Sequence, residues 1–211
     1  MRAKRRSFNA GDFRNLYCDL MEEVKRRVDV VSHVTGGGAR LPALAAYELC
    51  YLQLRFVCEL IALGCLAAHG DIHHKVGKRL LRDYNADHII KGLSDLHPDF
   101  YPRPTRQIKD DETGRPVSWK PIEDGYLTKD ELLKLYGACG DVLHRGGFDR
   151  LLRPREIDVG LAPVEACKER IVTLLNHHQI QLIDPDQLFV VLMQAESDGK
   201  VHGAFMVRKT N

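Results

Sequence analysis

A run of 25 residues from Leu44 to Ala68, LAAYELCYLQLRFVCELIALGCLAA, carries only three charges: Glu48, Arg55 and Glu59. From Leu60 onward its apolar residues fall on every side of a helix, the pattern of a segment packed all round. The run therefore predicts one buried helix about which the rest of the chain is arranged. Arg55 and Glu59 are its exceptions. Four residues apart, they share a helical face with Tyr51 and Ala62, and a charge stranded in such surroundings costs several kcal/mol unless it is paired. Arg-then-Glu is also the weaker order for a helix-surface pair. The two residues mark a candidate polar site rather than surface decoration.

The chain has 211 residues, of which 44% are hydrophobic and 28% charged, which fits one soluble domain with appendages, or at most two small ones. Its 31 basic and 29 acidic residues leave a net charge of +2, so overall charge drives binding to neither nucleic acid nor membrane. The six cysteines form no C-x-x-C pair, and most fall on core-facing helical positions, as small hydrophobes in a reducing compartment do. The basic start, Arg2, Lys4, Arg5 and Arg6, reads as a solvated arm spanning residues 1–10, and no signal-like apolar stretch follows it. Arg55 and Glu59 leave the central helix without eighteen uncharged residues in a row. The expectation is a cytoplasmic protein without a membrane span.

Along the chain, Phe13, Leu16, Tyr17, Leu20, Val24, Val28 and Val31 recur at helical steps and predict an amphipathic helix over 11–33. Gly36, Gly37 and Gly38 end it, and Pro42 opens the next; without a preceding strand or a P-loop pattern the glycines read as a linker. In HGDIHH, His69, His73 and His74 have no Cys or carboxylate spaced to complete a tetrahedral set, so the run reads as a polar turn and no metal is expected. Helices are predicted over 75–82 and, capped by Asn85, over 86–96. His97 to Pro104 should run extended, and the polar insertion 103–125 has the makings of a hairpin about Glu112, Thr113 and Gly114. Thr128 and Glu131 form a capping box that starts a helix ending before Gly146. Two glycines inside it, Gly137 and Gly140, suggest a packing or site requirement. Pro163 starts another helix to about His177. Strand-like segments then follow over 179–183, 188–195 and 201–208, with Asp198-Gly199 as a turn. The domain reading is a helical body over 11–178 and a β appendage over 179–211.

Tyr136, Gly140 and His144 fall on one face of the helix that Thr128 caps, and His144 joins Arg55 and Glu59 as a chemistry candidate. Histidine exchanges protons near neutral pH and arginine holds phosphate through a planar fork of donors. A structural reading is equally simple: Glu59 neutralises Arg55 and accepts a hydrogen bond from His144, tying two core helices together.

The runs YLQLRFVCELIALGCLAA, LHPDFYP and YLTKDELLKLYGACGDVLH resemble uncharacterised bacterial proteins related to the HEPN superfamily, over roughly Leu44 to Gly147. The resemblance implies a mainly α fold, a HEPN-like helical bundle, here with a small C-terminal antiparallel β-hairpin or sheet. It further implies a homodimer, an RNA or protein partner, no cofactor, and a role in bacterial defence, toxin-antitoxin or regulatory systems. Many such domains are metal-independent endoribonucleases carrying Arg, four to six residues, then His. His144 matches that histidine, but Gly137, Ala138 and Cys139 occupy the arginine positions. The arginine is then supplied by Arg55 from the neighbouring helix, with Arg145 as a second candidate, Glu59 orienting Arg55 and His144 in proton transfer. Arg145 and Tyr136 are the added RNA-contact candidates. Two function classes follow, a nuclease and a non-catalytic interaction module.

Overall fold

The computed structural model describes residues 9–70, 80–144, 152 and 158–207. Helix α1 (Ala10–Thr35) starts at a capping box between Asn9 and Asp12 and buries Tyr17, Met21, Val24, Val31 and Val34 on one face. Helix α2 (Ala43–Ala68) follows after the glycine turn and is the centre of the molecule, touching every other α-helix described. Leu60, Ile61, Ala62, Gly64, Cys65, Ala67 and Ala68 are all buried, as the uninterrupted apolar composition of this half requires. By length and composition α2 is apolar enough to cross a bilayer; here it is the core helix.

Helix α3 (Ala86–Leu96) is capped by the Asn85 side chain, which accepts from the amides of Asp87 and His88. Helix α4 (Lys129–Leu143) has the Thr128–Glu131 capping box that its sequence announces, and α5 (Ala162–Leu175) begins with Pro163 in its first turn. Of the helix expected over 75–82, residues 75–79 lie outside the described ones, and Leu80–Arg82 form a single 3-10 turn. HPDFYPRP bends in a turn, with the Phe100 amide donating to the His97 carbonyl, and becomes strand at Arg103.

The largest departure from the sequence reading is the sheet. Strands β1 (Arg103–Lys109), β2 (Pro116–Pro121), β3 (His177–Gln181), β4 (Gln187–Leu192) and β5 (His202–Val207) form one antiparallel sheet in the order β2-β1-β3-β4-β5. The chain is thus mixed α/β, with five α-helices and five strands among the described residues, rather than a mainly α bundle with a small C-terminal hairpin or sheet. The insertion hairpin β1–β2 does not stand alone: Arg103 and Pro104 pair with Gln179 and His178. α5 also stops two residues earlier than expected, because His177 already pairs with Leu192.

One face of the sheet closes the core. Phe189 of β4 is fully buried, with its ring edge-on to Tyr17 at 5.0 Å between centroids. Gly203 of β5 is fixed by that packing: a Cβ there would lie 2.7 Å from the Phe189 ring and 3.4 Å from the Cys18 sulfur.

Candidate functional site

The seam between α2 and α4 brings together three of the sequence-predicted site residues. Arg55 and Glu59 project from α2, one turn apart, towards Tyr136 of α4. Arg55 Nε lies 3.3 Å from Glu59 Oε1, and Arg55 Nη2 donates to the Tyr136 hydroxyl at 2.9 Å. That hydroxyl in turn donates to Glu59 Oε1 at 3.2 Å. The guanidinium also lies over the Tyr136 ring, 4.5 Å from its centroid, a stacking contact that suits its planar, weakly hydrated cation. The side chains of Arg55 and Glu59 are 24% and 15% exposed, so the pair is largely withdrawn from water but not sealed. Nη1 points towards α4, where a Cβ at Gly140 would lie 3.5 Å from it.

The electrostatics suit a fixed clamp. Burial, reinforced by the Glu59 charge, raises the Tyr136 phenol above its ordinary value, so the hydroxyl keeps its proton and remains a donor. Burial also raises the nearby Cys58 thiol and pushes Cys139 up to about 12 despite the opposing Arg55 charge. Thiols held neutral in this way are packing groups rather than nucleophiles.

His144 stands apart from this cluster. It is the exposed C-cap of α4, where its backbone amide donates to the Gly140 carbonyl. No described hydrogen bond joins its ring to Arg55, Glu59 or Tyr136. The bond anticipated between Glu59 and His144 is therefore replaced by one from Tyr136. Arg145 lies outside the described residues. What the sequence reading missed was the bridging hydroxyl; the signal was present, since Tyr136 lies two helical turns before His144 on the same face.

Two cavities lie elsewhere. One of roughly 350 Å³ is lined by Val28, Ile171 and Met193, and another of roughly 310 Å³ by Thr35 and Glu165; neither is lined by Arg55, Glu59, Tyr136 or His144.

Histidines also hold the sheet to the helices. His178 is fully buried; its Nδ1–H donates to the Leu175 carbonyl at 2.7 Å and Nε2 accepts from the Tyr17 hydroxyl at 2.7 Å. His69, from the HGDIHH run, is also buried, with Nδ1 2.8 Å from the Cys65 carbonyl and Nε2 3.2 Å from that of Gln181. His97 reaches the same Gln181 carbonyl at 2.8 Å. His73 and His74 lie outside the described residues. Among the described residues, no group of three His, Cys, Asp or Glu side chains is placed to hold a metal ion. No family model, curated protein or solved structure matches the chain.

Proposed function

We propose that the protein is a non-catalytic interaction module of HEPN-like build, in which Arg55, Glu59 and Tyr136 lock α2 to α4. The observation that carries this reading is the commitment of the guanidinium within the chain. Nε faces Glu59, Nη2 donates to Tyr136 and the plane rests on the Tyr136 ring. An arginine that is to receive a phosphate needs its fork free, and a carboxylate beside it repels the incoming anion.

A second reading, an RNA-associated protein of a bacterial defence, toxin-antitoxin or regulatory system with metal-independent endoribonuclease activity, rests on a different observation. Nη1 faces Gly140, and His144, four residues later, is the exposed C-cap of the same helix. In that mechanism an RNA 2′-hydroxyl attacks its own phosphate and the 5′-oxygen leaves. His144 transfers the proton and Arg55 stabilises the charge on the phosphorane.

Incubation of the full chain with a mixed pool of labelled RNAs in EDTA separates the two, with His144→Ala and Arg55→Ala measured alongside. The interaction reading expects no cleavage, an unchanged unfolding midpoint for His144→Ala and a lowered one for Arg55→Ala. Cleavage by the parent chain that disappears in a stably folded His144→Ala variant would establish the nuclease instead.

A further inference from the structure

The two edges of the sheet are unlike. At one edge, β2 carries Pro116 and Pro121, which lack amide donors, and Lys120, which places a charge along the strand. These are the devices by which proteins keep an edge from recruiting another strand. At the other edge, β5 reads HGAFMV, with no proline, lysine or carboxylate. Among the described residues it pairs with β4 alone, so its outward amides and carbonyls meet no strand. Phe205, Met206 and Val207 are 38%, 37% and 70% exposed there.

We propose that the β5 edge is a self-association surface that pairs antiparallel with β5 of a second copy of this chain, about a two-fold axis through Phe205. The strand's own pattern selects this occupant. Antiparallel partners must share a face, so a two-fold axis on β5 must pass through a residue rather than between two. An axis at Phe205 sets Ala204 opposite Met206 of the second copy, and Gly203 opposite its Val207. Ala204 then receives the larger Met206, while Gly203, already covered by the Phe189 ring, sets no side chain of its own against Val207, and the two Phe205 rings meet at the axis. There they extend a stack already begun by Phe189 and Phe205, whose centroids are 4.8 Å apart. Positions 203 to 207 hold no charge, so the self-pairing sets no like charges opposite one another. An isologous contact of this kind closes on itself and joins two five-stranded sheets into one of ten. Because one short strand supplies it, the dimer is reversible and concentration-dependent.

This inference is independent of the α2–α4 clamp. The test is sedimentation velocity of the full chain over a wide concentration range, compared with Ala204→Lys, Met206→Glu and the double variant. At this register residue 204 faces residue 206 of the second copy. Each single substitution therefore sets a charge against an apolar group twice across the axis, and is expected to weaken the dimer about tenfold or more. The double variant pairs each new ammonium with a carboxylate of the second copy and is expected to restore the dimer. A parent chain that stays monomeric throughout, or single variants that dimerise as the parent does, overturns the proposal. Failure of the double variant to recover overturns the axis at Phe205. A readout without substitution is hydrogen exchange, in which protection of the β5 amides should rise with protein concentration; protection that does not change overturns the proposal equally.

Discussion

The α2–α4 clamp depends on one hydroxyl. The Tyr136 hydroxyl accepts from Arg55 and donates to Glu59, while its ring supports the same guanidinium. Tyr136→Phe keeps the ring and removes the bridge, and should lower stability by about 1 kcal/mol in a urea titration. An unchanged midpoint would mean that the Arg55–Glu59 pair holds without it. The two glycines of α4 behave differently from what their positions suggest. Gly140 leaves Arg55 at ordinary van der Waals range, whereas a Cβ at Gly137 would meet nothing within 4 Å. Among the described residues, no packing contact holds Gly137. Gly137→Ala should therefore raise the unfolding midpoint, by about 0.5–1 kcal/mol, through helix propensity alone. The sequence shows that these residues share a face of α4; it does not show which of them touches α2. His144 shares that face by spacing, yet it is the C-cap, where the backbone turns extended (φ -103°, ψ 135°) and leaves the helix.

Elements with local punctuation were legible in advance. Asn85, the Thr128–Glu131 box and Pro163 begin helices where the sequence places them, because capping is decided within one turn of chain. The hairpin β1–β2 was legible as a turn, with Gly114 at φ 65°, but not as part of the main sheet. Its attachment to β3 is long-range: the Thr105 hydroxyl lies 2.6 Å from His177 Nδ1, and the two residues are 72 apart in sequence. Trp119 lies against the His177 ring, centroids 5.9 Å apart. Within the hairpin, Arg106 stands directly opposite Lys120, both exposed, an arrangement that works against pairing. Lys120→Glu should convert it to an attractive pair and stabilise the hairpin by about 0.5 kcal/mol. Slower amide exchange in β1 and β2, with β3 and β4 unchanged, is the signature to look for.

For the whole molecule, the buried histidines couple the fold to pH. Burial lowers the His178 pKa from 6.5 to about 4, and lowers that of His177 as well. The neutral ring already has both its bonds, to Tyr17 and Leu175. Between pH 6.5 and about 4 the unfolded chain therefore binds a proton at His178 that the folded chain refuses. This contribution is complete above pH 6.5 and is lost as pH falls towards 4, amounting to about 3 kcal/mol at 1.36 kcal/mol per pH unit. Urea titrations at several values across that window should show the decline, and a flat profile would place His178 in a solvated setting. By itself the sequence determined the buried central helix, its flanking amphipathic helices and the need of Arg55 for a partner, because helical periodicity, capping and the cost of an unpaired charge act over a few residues. Only the tertiary structure decided that Tyr136 rather than His144 completes the cluster, and that the insertion and the C-terminal strands share one sheet. Side-chain reach between helices and the pairing of β1 with β3 across α4 and α5 depend on how separate elements are brought together, which no local pattern encodes.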